Sequence, residues 1–297
     1  MRNKKLIKTI IAAIVVALLS VAGYYLTETK ELEAGKNLQT DGTIVVNYLD
    51  VGQGDSEFVQ LPDGKCMLID ASTSDASDTI IDFISRLGYS KIDYLVATHP
   101  HADHIGGMKA VVEHFDIGDI YMPKVSANTQ TYENLLLAIS DKGRSIHTAK
   151  AGAAVLDEDD LSAEFLAPVK ANYDNLNAYS AVLRLQYGSN VFLFMGDAEA
   201  ASETEILKAS TKDKLNADVL KVGHHGSKTA SSFEFVSAVS PGIAVIEVGK
   251  DNSYNHPHFE AINNLSEIGA KILRTDINGN VAVVSDKTNI TLYCEKE

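Results

Sequence analysis

The chain has 297 residues, 45% of them hydrophobic, which is enough to bury the core of one α/β domain of about 250 residues. Its formal net charge is −14, from 40 acidic and 26 basic side chains. Nucleic-acid binders draw most of their affinity from neutralising phosphates, so this balance counts against a high-affinity DNA partner. It leaves room for an enzyme whose metals supply positive charge locally.

The N-terminus opens with Arg2, Lys4, Lys5 and Lys8 and continues as an uncharged apolar run over residues 9–26. A positive flank before such a run reads as a secretory signal peptide or an N-terminal membrane anchor, residues 1–26, with the basic end inside. The expected location is therefore secreted or cell-surface, with membrane contact through this segment. No cysteine follows the run, which argues against a lipoprotein anchor. Residues 27–42 are polar and suit a linker. Residues 44–49, 57–61 and 66–70 read as strands, with Pro62-Asp63-Gly64-Lys65 as the turn between the last two. Apolar spacing predicts a helix over 79–87 ending at Gly88, and others over 108–115, 132–139, 203–207, 233–239 and 259–268. Strands are expected at 94–97, 119–122, 181–187, 191–195, 219–222, 243–248, 271–275, 281–285 and 290–293. Hairpins followed by helix–strand alternation suit two packed sheets with helices outside, an αββα sandwich filling residues 43–297. Cys66 and Cys294 lack ligand spacing; they read as buried thiols or as one disulfide.

The densest chemistry lies in Thr98-His99-Pro100-His101-Ala102-Asp103-His104-Ile105-Gly106-Gly107, at the end of an apolar strand. On an extended loop His99 and His101 can grip one divalent ion while Asp103 and His104 turn toward a second. Imidazole and carboxylate ligands without thiolate suit zinc, with manganese or iron as alternatives. Paired ions of this kind clamp the attacking and leaving oxygens of a hydrolytic displacement. Phe192-Leu193-Phe194-Met195-Gly196-Asp197 is another apolar strand that ends by delivering an aspartate. Asp218 and His224 are spaced as Asp93 and His99 are, across a similar strand, so His224 is the preferred remaining metal ligand. His225 is left to contact the scissile group, or to exchange roles with His224. Gly226-Ser227 leaves backbone N–H groups open to an anion.

His99-x-His101-x-Asp103-His104 resembles the metal loop of the metallo-β-lactamase superfamily. Leu49-Asp50-Val51-Gly52-Gln53-Gly54-Asp55-Ser56, Leu220-Lys221-Val222-Gly223-His224-His225-Gly226-Ser227 and Asn252-Ser253-Tyr254-Asn255-His256-Pro257 resemble, in order and spacing, the hydrolase domain of the ComEC competence proteins, which import DNA. The resemblance runs from about Thr43 to the C-terminus, without the many-helix channel of that family. It implies an αββα hydrolase with one or two divalent ions, Zn²⁺ first and Mn²⁺ second. Asp197 would bridge the ions, and Asp70 would orient a ligand histidine from behind. The superfamily's further histidine between the metal loop and Gly196-Asp197 is missing; Asn177 or Ser180 is expected to face the first ion or the substrate. Asp50, Gln53 and Asp55 form a polar turn beside the site, with Ser227, Asn252 and Tyr254 near the substrate. Asp103, His225 and His256 are the catalytic candidates, His256 either protonating a leaving oxygen or holding a phosphate. The expected activity is phosphodiester hydrolysis, of DNA or a small diester. The alternatives are ester or lactam hydrolysis at the same metals, or a non-catalytic binding module associated with competence.

Overall fold

The computed structural model describes residues 29–31 and 37–296; the expected signal or anchor, residues 1–26, lies outside them. Among the described residues no helix is long and apolar enough to cross a membrane. In chain order the first sheet takes β1 (Thr29–Glu31), β2 (Ile44–Tyr48), β3 (Glu57–Gln60), β4 (Cys66–Ile69), β5 (Lys91–Val96), β6 (Asp116–Met122) and β7 (Ile146–Thr148). The second takes β8 (Ala154–Glu158), β9 (Leu161–Phe165), β10 (Leu183–Tyr187), β11 (Asn190–Phe194), β12 (Val219–Lys221), β13 (Ile243–Ile246) and β14 (Lys271–Arg274). The chain then returns to the first sheet as β15 (Val281–Ser285) and β16 (Ile290–Cys294), giving the order β1-β16-β15-β2-β3-β4-β5-β6-β7 beside β14-β13-β12-β11-β10-β9-β8.

Alternating side chains build three apolar layers from these strands. Met67 and Ile69 of β4 and Phe192 and Phe194 of β11 point into the layer between the sheets. Their neighbours Cys66 and Leu68 face helices Ser77–Arg86, Met108–His114 and Gln130–Asp141, while Leu193 faces Ala200–Ala209, Phe233–Val239 and Phe259–Glu267. Both faces of the central strands are covered, so β2, β3, β4, β11, β12 and β13 are buried along their whole length. The architecture is the αββα sandwich.

Three local features depart from expectation. Part of the segment read as linker adds β1 to the edge, parallel to β16. The β8–β9 hairpin is not among the expected strands, although β9 alternates Leu161, Ala163 and Phe165 inward with Ser162 and Glu164 outward. Within the metal loop, residues Ala102–Ile105 form a helical turn rather than extended chain.

β4, β5 and β6 run parallel, as do β11, β12 and β13. Their C-terminal ends therefore meet at one edge of the sandwich, where loops can converge around a ligand.

Candidate metal centre

That edge holds Asp70 after β4, His99 after β5, Asp197 after β11, His224 and His225 after β12, and Glu247 after β13. Asp197 stands at the middle, buried, with its two oxygens facing different imidazoles.

On one side, His99 Nε2 lies 3.0 Å from His101 Nδ1 and 3.6 Å from Asp197 Oδ2, an arrangement able to hold one cation. His224 Nε2 stands 3.7 Å from that same oxygen. The other ring nitrogen of His224 is 3.2 Å from Glu199 Oε1, so a proton on Nδ1 leaves Nε2 free to ligate. Asn177 Oδ1 is buried without a hydrogen-bond partner and lines the same cavity.

On the other side, Asp103, His104 and His225 form a second group able to hold a cation. Asp197 Oδ1 is 3.2 Å from His104 Nε2 and 3.6 Å from His225 Nε2, and His225 Nε2 is 3.5 Å from Asp103 Oδ2. His104 Nε2, His225 Nε2 and Asp197 Oδ1 are all buried and without a hydrogen-bond partner. Three converging lone-pair atoms left unpaired inside a protein call for a cation. Charge agrees. Burial opposes a positive ring, yet Asp197, Asp55 and Asp70 hold the His104 proton well above the usual imidazole range. Asp55 and Asp197 likewise hold His225 up to about 10 against its burial. In turn, burial would raise the Asp103 carboxyl, but the His225 and His104 rings keep it far below the usual carboxylate range. The donor set fits one or two divalent ions, which would take the place of those protons.

Behind the second group lies a buried support. Asp70 accepts from Thr98 N–H at 2.8 Å and meets His104 Nδ1 at 2.7 Å. His225 Nδ1 donates to the Glu247 carbonyl at 3.0 Å, with Asp55 Oδ1 a nearby anion at 3.1 Å. Asp55 is in turn paired with the fully buried ammonium of Lys221. Burial, reinforced by the Asp55 charge, pushes the Glu247 carboxyl up to about 8. Gly54 is required here: at φ 154° it brings the backbone so close to the metal loop that a Cβ would lie 2.5 Å from the Asp103 carbonyl oxygen.

The structure corrects several sequence expectations. Of the two histidines whose roles were left open, His225 closes the group with Asp103 and His104, and His224 stands on the His99 side of Asp197. Both residues adopt left-handed backbone, φ 50° and 52°, which turns two consecutive rings into the cleft; the strand-end analogy with His99 could not show that. Of the pair Asn177 and Ser180, only Asn177 lines the cavity; the Ser180 hydroxyl accepts from the Asp197 N–H at 3.1 Å and fixes that turn. Asp50 lies away from the cavity, against Lys296 at 3.3 Å. Ser227 bonds Thr229 Oγ1 at 3.0 Å within its own turn. Asn252 supports the loop from inside, its amide donating to the Gly249 and His256 carbonyls. Gln53, Tyr254 and His256 do border the cavity of about 350 Å³ lined also by His101, Asp103, Asp197, His224 and His225, and Gln53 also ties the two loops by accepting from Gly249 N–H at 3.1 Å. Lys221, Glu199 and Glu247 escaped the sequence reading. Only the position of Lys221 in the segment before His224-His225 marked it.

The sequence model of the metallo-beta-lactamase superfamily matches residues 49–249. ComE operon protein 3 of Bacillus subtilis is 32% identical over 253 residues, covering 80% of this chain and 32% of that protein. Competence protein ComA of Neisseria gonorrhoeae is 33% identical over 235 residues, covering 79% and 31% respectively. The chain thus spans about a third of the length of these curated relatives. In fold it is similar to CmlA, a diiron β-hydroxylase from Streptomyces venezuelae, with TM-score 0.52 and 14% identity over 80% of this chain and 53% of that one.

Proposed function

The chain belongs to the metallo-β-lactamase superfamily, and from that premise we propose that it is a metal-dependent phosphodiesterase acting on DNA or another phosphodiester. The observation that carries the reading is Asp197, whose two oxygens each face a separate ligand group beneath an open cavity. Divalent ions held by His99, His101, Asp197 and His224 on one side and by Asp103, His104, Asp197 and His225 on the other would activate water and offset charge on the phosphoryl oxygens. Zinc suits this nitrogen-rich donor set, and manganese is the second candidate.

The remaining residues act on the substrate. Asn177, Gln53 and His256 present uncharged hydrogen-bonding groups to the cavity, suited to phosphoryl oxygens. The buried Nδ1 of His256 has no partner in the protein. Burial, with the rings of His225, His224 and His258 around it, lowers His256 to about 4, so at neutral pH it is an uncharged ring. This favours holding a phosphate over protonating a leaving oxygen. The missing histidine between the metal loop and Asp197, together with the His224-His225-Gly226-Ser227 turn beyond Asp197, disfavours lactam hydrolysis. The basic and apolar N-terminal segment supports placing the enzyme outside the cytoplasmic membrane, attached or released.

The test is hydrolysis of bis-p-nitrophenyl phosphate, single-stranded DNA and nitrocefin by chelator-stripped protein resupplied with Zn²⁺ or Mn²⁺. Diester cleavage that returns with metal supports the reading. Nitrocefin cleavage without diester cleavage overturns it.

A further inference from the structure

Across the turn of residues 175–180 from the metal cavity lies a second hollow, of about 400 Å³. Lys124, Lys150 and Lys170 line it, and no carboxylate does, in a chain whose net charge is −14. The three lysines come from separate places: just beyond β6, just beyond β7, and on the loop after β9. Their convergence therefore reflects tertiary packing, not a local run of basic residues. Lys170 is paired with Glu205, whereas Lys124 and Lys150 have no ion pair among the described residues.

The two hollows share a wall. Asn177 lines the metal cavity, and Tyr179, two residues along the same turn, lines the basic one. The Tyr179 hydroxyl accepts from Tyr173 N–H at 2.9 Å, and the Tyr173 hydroxyl accepts from the backbone N–H groups of Val169 and Lys170 at 3.1 and 2.8 Å. These bonds hold the wall and the basic rim to one another. Lys124 also borders a further hollow with Ser126 and Tyr132. On the rim of the metal cavity Tyr254 is 59% exposed, with its ring stacked on His256 and its outer face open to a planar base.

We propose that the hollow formed by Lys124, Lys150 and Lys170 is an anion subsite that takes a non-scissile phosphate of a single-stranded nucleic acid whose scissile linkage lies at the metal cavity. This rests on the phosphodiesterase reading and deepens it. Two free ammonium groups beside a hydrolytic site, in an otherwise acidic protein, suit a second phosphate. The exposed Tyr254 ring on the rim of the metal cavity suits a base, which a polyol-phosphate polymer lacks. The subsite acts on binding alone, because the lysines stand apart from the reacting atoms.

The experiment compares the full chain with Lys124→Ala/Lys150→Ala and Lys124→Arg/Lys150→Arg, with melting temperatures as a check on folding. Each is assayed on a fluorescent single-stranded oligonucleotide over a salt series and on bis-p-nitrophenyl phosphate. The alanine pair should raise KM for the oligonucleotide roughly tenfold at unchanged kcat and flatten the dependence of log KM on log salt by about 0.7, the share of one phosphate contact on a single strand. The arginine pair should behave as the wild type, and the chromogenic diester should not distinguish the three. An unchanged KM and salt slope would overturn the subsite, as would equal losses on both substrates. Wild-type protein that cleaves the chromogenic diester but not the oligonucleotide overturns the subsite and leaves the metal-centre reading standing. Protein that cleaves neither under Zn²⁺ or Mn²⁺ overturns both.

Discussion

His104 and His225, on the deep side of Asp197, are almost wholly buried, and each has its Nδ1 held by a partner fixed in the core, Asp70 for one and the Glu247 carbonyl for the other. His224, on the outer side, is 24% exposed and leans on Glu199, itself near the surface, while His101 is half-buried. The deep position is thus held throughout by partners in the core, and the outer one, apart from the buried His99, by partners nearer the surface. Orienting partners behind a ligand commonly change metal affinity 10–100-fold, so the two positions should differ in retention by a factor of that order.

The largest expected effect comes from Asp197→Ala, which removes the carboxylate common to both sides. Hydrolysis should fall to background and elemental analysis should find both ions reduced, with the fold retained by circular dichroism. Full metal content in that variant would break the shared-carboxylate arrangement. Asp103→Ala should also abolish hydrolysis but deplete chiefly the deep ion.

Lys221→Met probes the deep side from below. It leaves the Asp55 charge buried without its counter-ion, which costs about 3–5 kcal/mol and should show as a markedly lower denaturation midpoint. Asp55→Asn combined with Lys221→Met removes both charges and should recover much of that stability, while retention of the deep ion stays weakened. Recovery of both would make the pair purely structural.

A smaller effect is expected from His224→Ala, which should weaken the outer ion in a chelator competition by at least the roughly 10–100-fold that loss of an orienting partner costs, and spare the deep one. Asn177→Ala should act in the same direction. Equal weakening of both ions by His224→Ala would erase the distinction drawn above. His256→Ala should slow bis-p-nitrophenyl phosphate and DNA cleavage by similar factors, because an uncharged ring that holds phosphate serves good and poor leaving groups alike. A loss confined to DNA would instead make His256 a proton donor. The smallest effect concerns the thiols. Cys66 and Cys294 are buried and free, and β3, β2 and β15 separate their strands. Burial pushes the Cys66 thiol up to about 12, so neither cysteine should alkylate in native protein at neutral pH.

Period and local spacing carried much of this protein on their own. Residues 281–285 and 233–239 form the strand and helix that their apolar patterns imply, because two-residue and 3.6-residue repeats are properties of the backbone itself. The metal loop was equally legible: His99, His101, Asp103 and His104 lie within six positions, so chain connectivity alone brings them together. Tertiary structure decided what depends on backbone conformation at a single residue or on distant partners. Whether His224 or His225 meets Asp103 follows from left-handed dihedrals in one turn. Lys221 meets Asp55 across 166 positions only because the two sheets pack face to face. Ser180 supports Asp197 rather than an ion, and His256 is held uncharged, through neighbours that folding supplies. A sequence specifies which groups are present and their local direction, whereas burial and long-range contacts determine the protons and ions they hold.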